Sequence, residues 1–188
     1  MRLRVFNFSE VYGGQEVYLW TLLNRLSTRG SIRCLTFAGG PPSLARTLYS
    51  GIVPNDSSAQ GRTCEAWLIN GNRALYREAW RRRGREVRIY VQHSSIDDLQ
   101  DGVLKQVIRR VLLLLLLKKI DAVIRVSEAC LPDGYAPGKV FTVPNGIDLA
   151  RFPCRARWRS GPGQAPLRLL MVGALTANKN QRLGIEAL

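Results

Sequence analysis

Short apolar runs alternating with helical stretches constrain this chain more than any other feature. Leu3 to Phe8, Ile32 to Phe37, Ala66 to Ile69, Val87 to Val91, Asp121 to Val126 and Val140 to Val143 each read as a short buried strand. Helical spacing fills the gaps. Val17, Trp20, Leu23 and Leu26 recur at near-helical intervals, and Arg29-Gly30 closes that run. Arg73 to Arg83 offers Leu75, Ala79 and Trp80 as a core face, and Leu99 to Ile120 reads as a long helix. Leu44, Leu48 and Ile52 form a short helical patch before a polar loop at 54–62. Ser127 stands as the N-cap of a helix through Cys130. Alternation of this kind predicts the α/β class: a Rossmann-like parallel sheet with helices on both faces.

The character of the sequence changes after residue 150. Residues 151–166 carry Pro153, Pro162, Pro166 and the basic run Arg155-Ala156-Arg157-Trp158-Arg159, the composition of a linker. Leu167 to Gly173 then reads as a new buried strand, and Asn180 to Leu188 as the beginning of a helix. One strand and part of a helix cannot bury a core. The expected organisation is a Rossmann-like domain at 1–150, a linker at 151–166, and the incomplete start of a second domain at 167–188.

Two stretches could carry chemistry. Gly13-Gly14-Gln15-Glu16 lies between the first strand and the first helix. Glycine lets backbone N–H groups approach an anion, and a helix N-terminus adds partial positive charge. A glycine pair also suits a plain turn, and no G-x-G-x-x-G is present. His93, the chain's only histidine, follows the fourth strand directly. It therefore belongs to the same carboxyl edge of the sheet, where such folds bind ligands.

Charge narrows the partners without choosing among them. The chain holds 28 Lys+Arg against 14 Asp+Glu, formally +14, which suits phosphate, an anionic membrane or nucleic acid. The cations are scattered over helix ends and the linker, and no nucleic-acid motif accompanies them, so nucleic acid ranks last. Cys34, Cys64, Cys130 and Cys154 are widely spaced without a C-x-x-C pair, so no zinc site is expected. Cys34 and Cys130 sit in apolar surroundings, as reduced core thiols do. With a strand starting at the N-terminus and no signal peptide expected, the reading is cytoplasmic. The leucines at 112–117, flanked by Lys105, Arg109, Arg110, Lys118 and Lys119, allow two roles. They suit a buried core helix or an interfacial helix on the inner face of a membrane.

The motifs together form an ordered series. Gly13-Gly14-Gln15-Glu16 resembles the G-G-x-E opening of family 4 retaining glycosyltransferases. Val91-Gln92-His93 with Asp97 or Asp98 resembles their strand-plus-histidine loop. Asp121-Ala122-Val123-Ile124 with Val126-Ser127-Glu128-Ala129 is similar to their D-A-V-I-x-V-S-E segment. Val143-Pro144-Asn145-Gly146-Ile147-Asp148 with Arg151-Phe152 is similar to I-P-N-G-I-D…R-F. Leu170-Met171-Val172-Gly173 with Lys179 resembles V-G-R-x-x-x-x-K.

That resemblance implies the GT-B architecture, in which two Rossmann-like domains face each other across a cleft. The chain would supply the acceptor domain and the first part of the donor domain. A sugar would pass from a nucleotide diphosphate to an acceptor hydroxyl with retained configuration, the acceptor being a saccharide or, if the leucine-rich helix at 112–117 is interfacial, lipid-linked. By the same resemblance His93 is the catalytic candidate, and Gly13, Gly14 and Lys179 would hold the donor phosphates. Glu16, Asp97, Ser127 and Asn145 are candidates for the acceptor side of the cleft. No metal or other cofactor is implied beyond the nucleotide-sugar donor. Two departures bear on activity: Ala174 replaces the usual arginine, and the E-x(7)-E region is not reached before Leu188. The chain is therefore expected to be truncated and inactive alone. The other readings are a basic module for anionic membrane or nucleic acid, and an inactive remnant.

Overall fold

In a computed structural model of the chain, residues 1–10, 12–41, 65–96, 102–147, 170–173 and 180–187 are described. Among the described residues six strands occur: β1 (Arg2–Asn7), β2 (Cys34–Ala38), β3 (Ala66–Asn70), β4 (Val87–Gln92), β5 (Ala122–Arg125) and β6 (Val140–Thr142). They pair in the order β2-β1-β3-β4-β5-β6, and every pairing is parallel. Helices α1 (Gly14–Thr28), α2 (Gly71–Glu78) and α3 (Val103–Leu117) run between successive strands, and α4 is Gln181–Glu186. The expected α/β, Rossmann-like parallel sheet is therefore the observed one.

Alternate side chains of the inner strands feed two separate cores, whereas Phe141 of edge strand β6 is exposed. Leu3 and Val5 of β1, Leu68 of β3 and Val91 of β4 pack with Tyr18, Leu19 and Leu23 of α1. Phe6, Ile69, Tyr90 and Val123 point the other way, onto Leu75 of α2 and Leu113, Leu116 and Leu117 of α3. Burying each such leucine contributes about 2 kcal/mol. A sheet covered on both faces has no solvated side, which explains why its strands read as apolar runs.

A charged residue sits inside the second core. Arg88 is 0 % exposed. Its guanidinium lies over the Trp67 ring, 4.7 Å from the centroid. It donates to Glu86 Oε1 at 2.7 and 3.0 Å, and to the carbonyls of Arg81 and Arg82 at 3.2 and 3.1 Å. Its backbone N–H donates to Asp121 Oδ2 at 2.8 Å.

This cluster corrects one helix. The stretch expected to be helical through Arg83 stops at Glu78, because the following carbonyls turn back onto Arg88. Trp80, expected in the core, is exposed at 56 % and has Lys119 over its ring.

The chain divides into a unit Met1–Ile147 and a unit Asp148–Leu188. The strand expected over 167–173 is not formed at 170–173, where Leu170 and Val172 are exposed. A strand needs a neighbouring ladder, and none pairs with this segment among the described residues. Residues 167–169, the helical patch at 44–52, the loop at 54–62 and the linker at 151–166 lie outside the described residues.

Candidate functional site

The sheet reverses direction of growth at β1. From β1 the chain passes through α1 out to β2, then crosses back so that β3 lies on the other side. Ligands of such sheets occupy the crevice beyond the strand ends at this switch point. Asn7 and Asn70 are register partners there, each the last residue of its strand, and both are buried.

These asparagines set the state of the histidine. Asn70 Nδ2 donates to Asn7 Oδ1 at 3.4 Å, which turns Asn70 Oδ1 toward His93 Nε2, 2.7 Å away. An amide oxygen only accepts, so Nε2 carries the proton and Nδ1 keeps its lone pair. Tyr18 of α1 packs edge-on against the imidazole, with centroids 5.1 Å apart. Burial pushes the His93 pKa down to about 4, against the opposing pull of the Glu16 carboxylate. At neutral pH the ring is an uncharged hydrogen-bonding group.

Glu16 and the glycine pair form the adjoining turn. Glu16 Oε2 accepts from the Gly13 N–H at 2.8 Å and closes the start of α1. Its Oε1 is buried and has no partner among the described residues. Gly13 and Gly14 are exposed, and neither has a positive φ. A Cβ on Gly14 would meet nothing within 4 Å, and one on Gly13 would meet only Glu16 Oε2 at 3.4 Å. Internal packing gives no reason for glycine at 14. The first-turn N–H groups of a helix lack intrahelical partners, so this turn can receive an anion from outside.

Ser127 reaches the same neighbourhood through sulfur. Its Oγ is 3.7 Å from Cys130 Sγ, which donates to the His93 carbonyl at 3.5 Å. The helix expected from Ser127 is only a 3₁₀ turn, Glu128–Cys130, and the Ser127 hydroxyl does not cap it. Pro132 follows too soon for the helix to continue. Asn145 is exposed beyond edge strand β6, and β5 stands between that strand and β4. The structure thus brings together Gly13, Gly14, Glu16, His93 and Ser127, and leaves Asn145 apart. Asp97, Asp98 and Lys179 lie outside the described residues.

Several participants are silent in the sequence. Asn7, Asn70 and Tyr18 hold the histidine, and Gln15 folds over Gly71. That glycine has φ +77°, and a Cβ there would come 2.9 Å from Gln15 Oε1. Tyr90, buried beneath the edge, bonds through its hydroxyl to the side chains of Asn72 and Gln92. The available signal was the first polar residue after each apolar run. Among the described residues, no group of three or more His, Cys, Asp or Glu could hold a metal ion.

The histidine predicts an acid response with a defined sign. Between the ordinary histidine range and about pH 4, the unfolded chain binds a proton here that the folded chain does not. Stability therefore falls as pH drops through this window and levels below it. With allowance for partial solvent screening, the loss is about 2 kcal/mol. Urea midpoints across the window should show it in the native chain. His93→Gln, which cannot titrate, should remove this component and leave the rest of the acid response.

No family model matches the chain, and no curated protein matches it. Solved structures of Alr3699/HepE from Anabaena share its fold. The HepE complex with UDP aligns at a TM-score of 0.56 and 17% identity, over 80% of this chain and 45% of HepE. The complex with UDP and glucose gives 0.55 at 17% identity, over 80% and 46% of the two chains. The complex with UDP-glucose gives 0.53 at 17% identity, over 80% and 45%. The chain therefore spans less than half the length of HepE.

Proposed function

We propose that the chain is the acceptor-side domain of a glycosyltransferase similar to family 4. In this reading a sugar moves from a nucleoside diphosphate to an acceptor hydroxyl with retained configuration. One observation carries it: neutral His93 and the exposed Gly13-Gly14 turn meet at the switch point of a parallel sheet. The ordered motifs and the fold shared with a protein solved with UDP-glucose support it.

Each described residue of the site then has a role that its surroundings permit. The N–H groups opening α1 face the donor diphosphate, where negative charge grows as the nucleotide leaves. His93 Nδ1 accepts from a hydroxyl of the transferred sugar, while Asn70 holds the ring in that tautomer. Glu16 shapes the turn, and Ser127 lines the acceptor side. Lys179 and Asp97 keep the roles that the resemblance implies, with Lys179 on the donor phosphates. Residues 151–166 serve as the linker, and the segment from 167 opens the donor domain. Among the described residues, Cys34 and Cys130 are buried free thiols, which suits a cytoplasmic protein.

The test joins this chain to a family donor domain and measures nucleotide release and sugar transfer from a panel of UDP- and GDP-sugars. Transfer is expected from the joined form. Gly14→Ala should leave the unfolding midpoint unchanged, because the site is open, yet weaken donor binding by about tenfold. Absence of transfer with every donor, or Gly14→Ala with unaltered donor affinity, overturns the assignment.

A further inference from the structure

We propose that α3 is a membrane-docking helix that lays its outer face on an anionic lipid surface. This goes beyond the transfer chemistry and does not depend on it. The leucine-rich helix is not buried all round. Leu113, Leu116, Leu117 and, just past the helix, Ile120 face the core. Val103, Val107, Ile108, Val111, Leu114 and Leu115 face outward, with exposures from 40 to 79 %. Their spacing follows the helical repeat, so they form one continuous stripe. Over the 15 residues of α3 it runs for about 22 Å. A monomer rarely leaves such a contiguous apolar stripe in water.

Charge identifies what covers it. Lys105 and Lys119 border one side of the stripe, Arg110 borders the other, and Lys118 closes its C-terminal end. Between Val103 and Ile120 there is no Asp or Glu. A second copy docked on this face would set the cations of one helix against those of the other, and neither helix brings a carboxylate of its own. An anionic bilayer meets both requirements, because its acyl boundary takes the stripe and its headgroups take the cations. Beside the stripe, Val111, Leu114, Leu115, Tyr135, Ala136 and Pro137 line an open recess of about 470 Å³, with Lys118 at its edge. The recess gives the surface a place to grip a lipid chain. No helix among the described residues is long and apolar enough to cross a membrane, so the contact is peripheral.

The experiment is flotation of the full chain with vesicles of phosphatidylcholine alone and of phosphatidylcholine mixed with phosphatidylglycerol. The chain should float with the mixed vesicles, much less with the neutral ones, and should be released as salt rises. Ile108→Asp with Leu115→Asp should lower partition at least about tenfold. Lys118→Gln, which removes no apolar contact, should lower it about fivefold. Far-UV circular dichroism and the unfolding midpoint check that both variants fold. Failure to float with mixed vesicles overturns the proposal, as does equal flotation with neutral vesicles. So does a lipid-free dimer in sedimentation that the double substitution dissolves, since a second copy would then be the occupant.

Discussion

Replacing Arg88 with alanine should cost about 3–5 kcal/mol of folding stability, as much as truncating a fully buried core side chain. The loss has three parts. Glu86, 8 % exposed, would keep a buried charge without its guanidinium partner. The carbonyls of Arg81 and Arg82 would lose a donor, and Trp67 would lose the group stacked on its ring. Urea unfolding of the two proteins reads this directly. Arg88→Met combined with Glu86→Gln should recover part of the loss, because the apolar isostere no longer strands a charge. An unchanged midpoint in Arg88→Ala would mean that the cluster does not hold the turn after α2. Burial alone would raise the Glu86 pKa, but hydrogen bonds from Arg88 and the backbone, together with the Arg88 charge, bring it below its usual value. Its stabilising contribution is present above the ordinary carboxylate range and is lost as pH falls through the lowered value.

The second large effect concerns turnover. In the form joined to a donor domain, His93→Ala should lower the rate of transfer by about a hundredfold, the usual scale for removing one positioned group at a reacting centre. The loss should fall on kcat more than on KM if His93 acts mainly in the transition state. Asn70→Leu should give a smaller loss of the same kind, since it frees the ring without removing it. Its pH profile should also shift, because the imidazole no longer has a fixed tautomer. Wild-type turnover in His93→Ala would remove the histidine from the chemistry and leave it as a packing partner of Tyr18.

The strands were legible because burial on both faces writes itself as short apolar runs, and turn residues punctuate them. Helix boundaries were less so. Nothing local says that the helix before Arg81 must stop at Glu78, because the cause is a guanidinium on the next strand. The leucine run hid its own asymmetry. Leucine at every position looks the same whether it faces core or solvent, and only the sheet beneath α3 distinguishes Leu113 from Leu114. In the site, the glycine pair and His93 could be found because each follows a strand directly. Asn7 and Asn70 could not, since what joins them is register across a parallel ladder and not proximity in the chain. Glu16 shows a middle case. Its place in the first turn of α1 was readable, but the hydrogen bond to Gly13 that buries it was not.

The pairing of β1 with β3 also bears on how the protein comes off the ribosome. Leu3 meets Ala66, a separation of 63 residues also spanned by the bond from Arg2 to Glu65. At ordinary rates of synthesis, about 3–13 s pass between the appearance of the first strand and of its central neighbour. During that interval, among the described residues, the apolar Leu3, Val5 and Phe6 have only β2 and α1 to lean on. The nascent chain is thus most open to chaperone capture before its third strand has emerged.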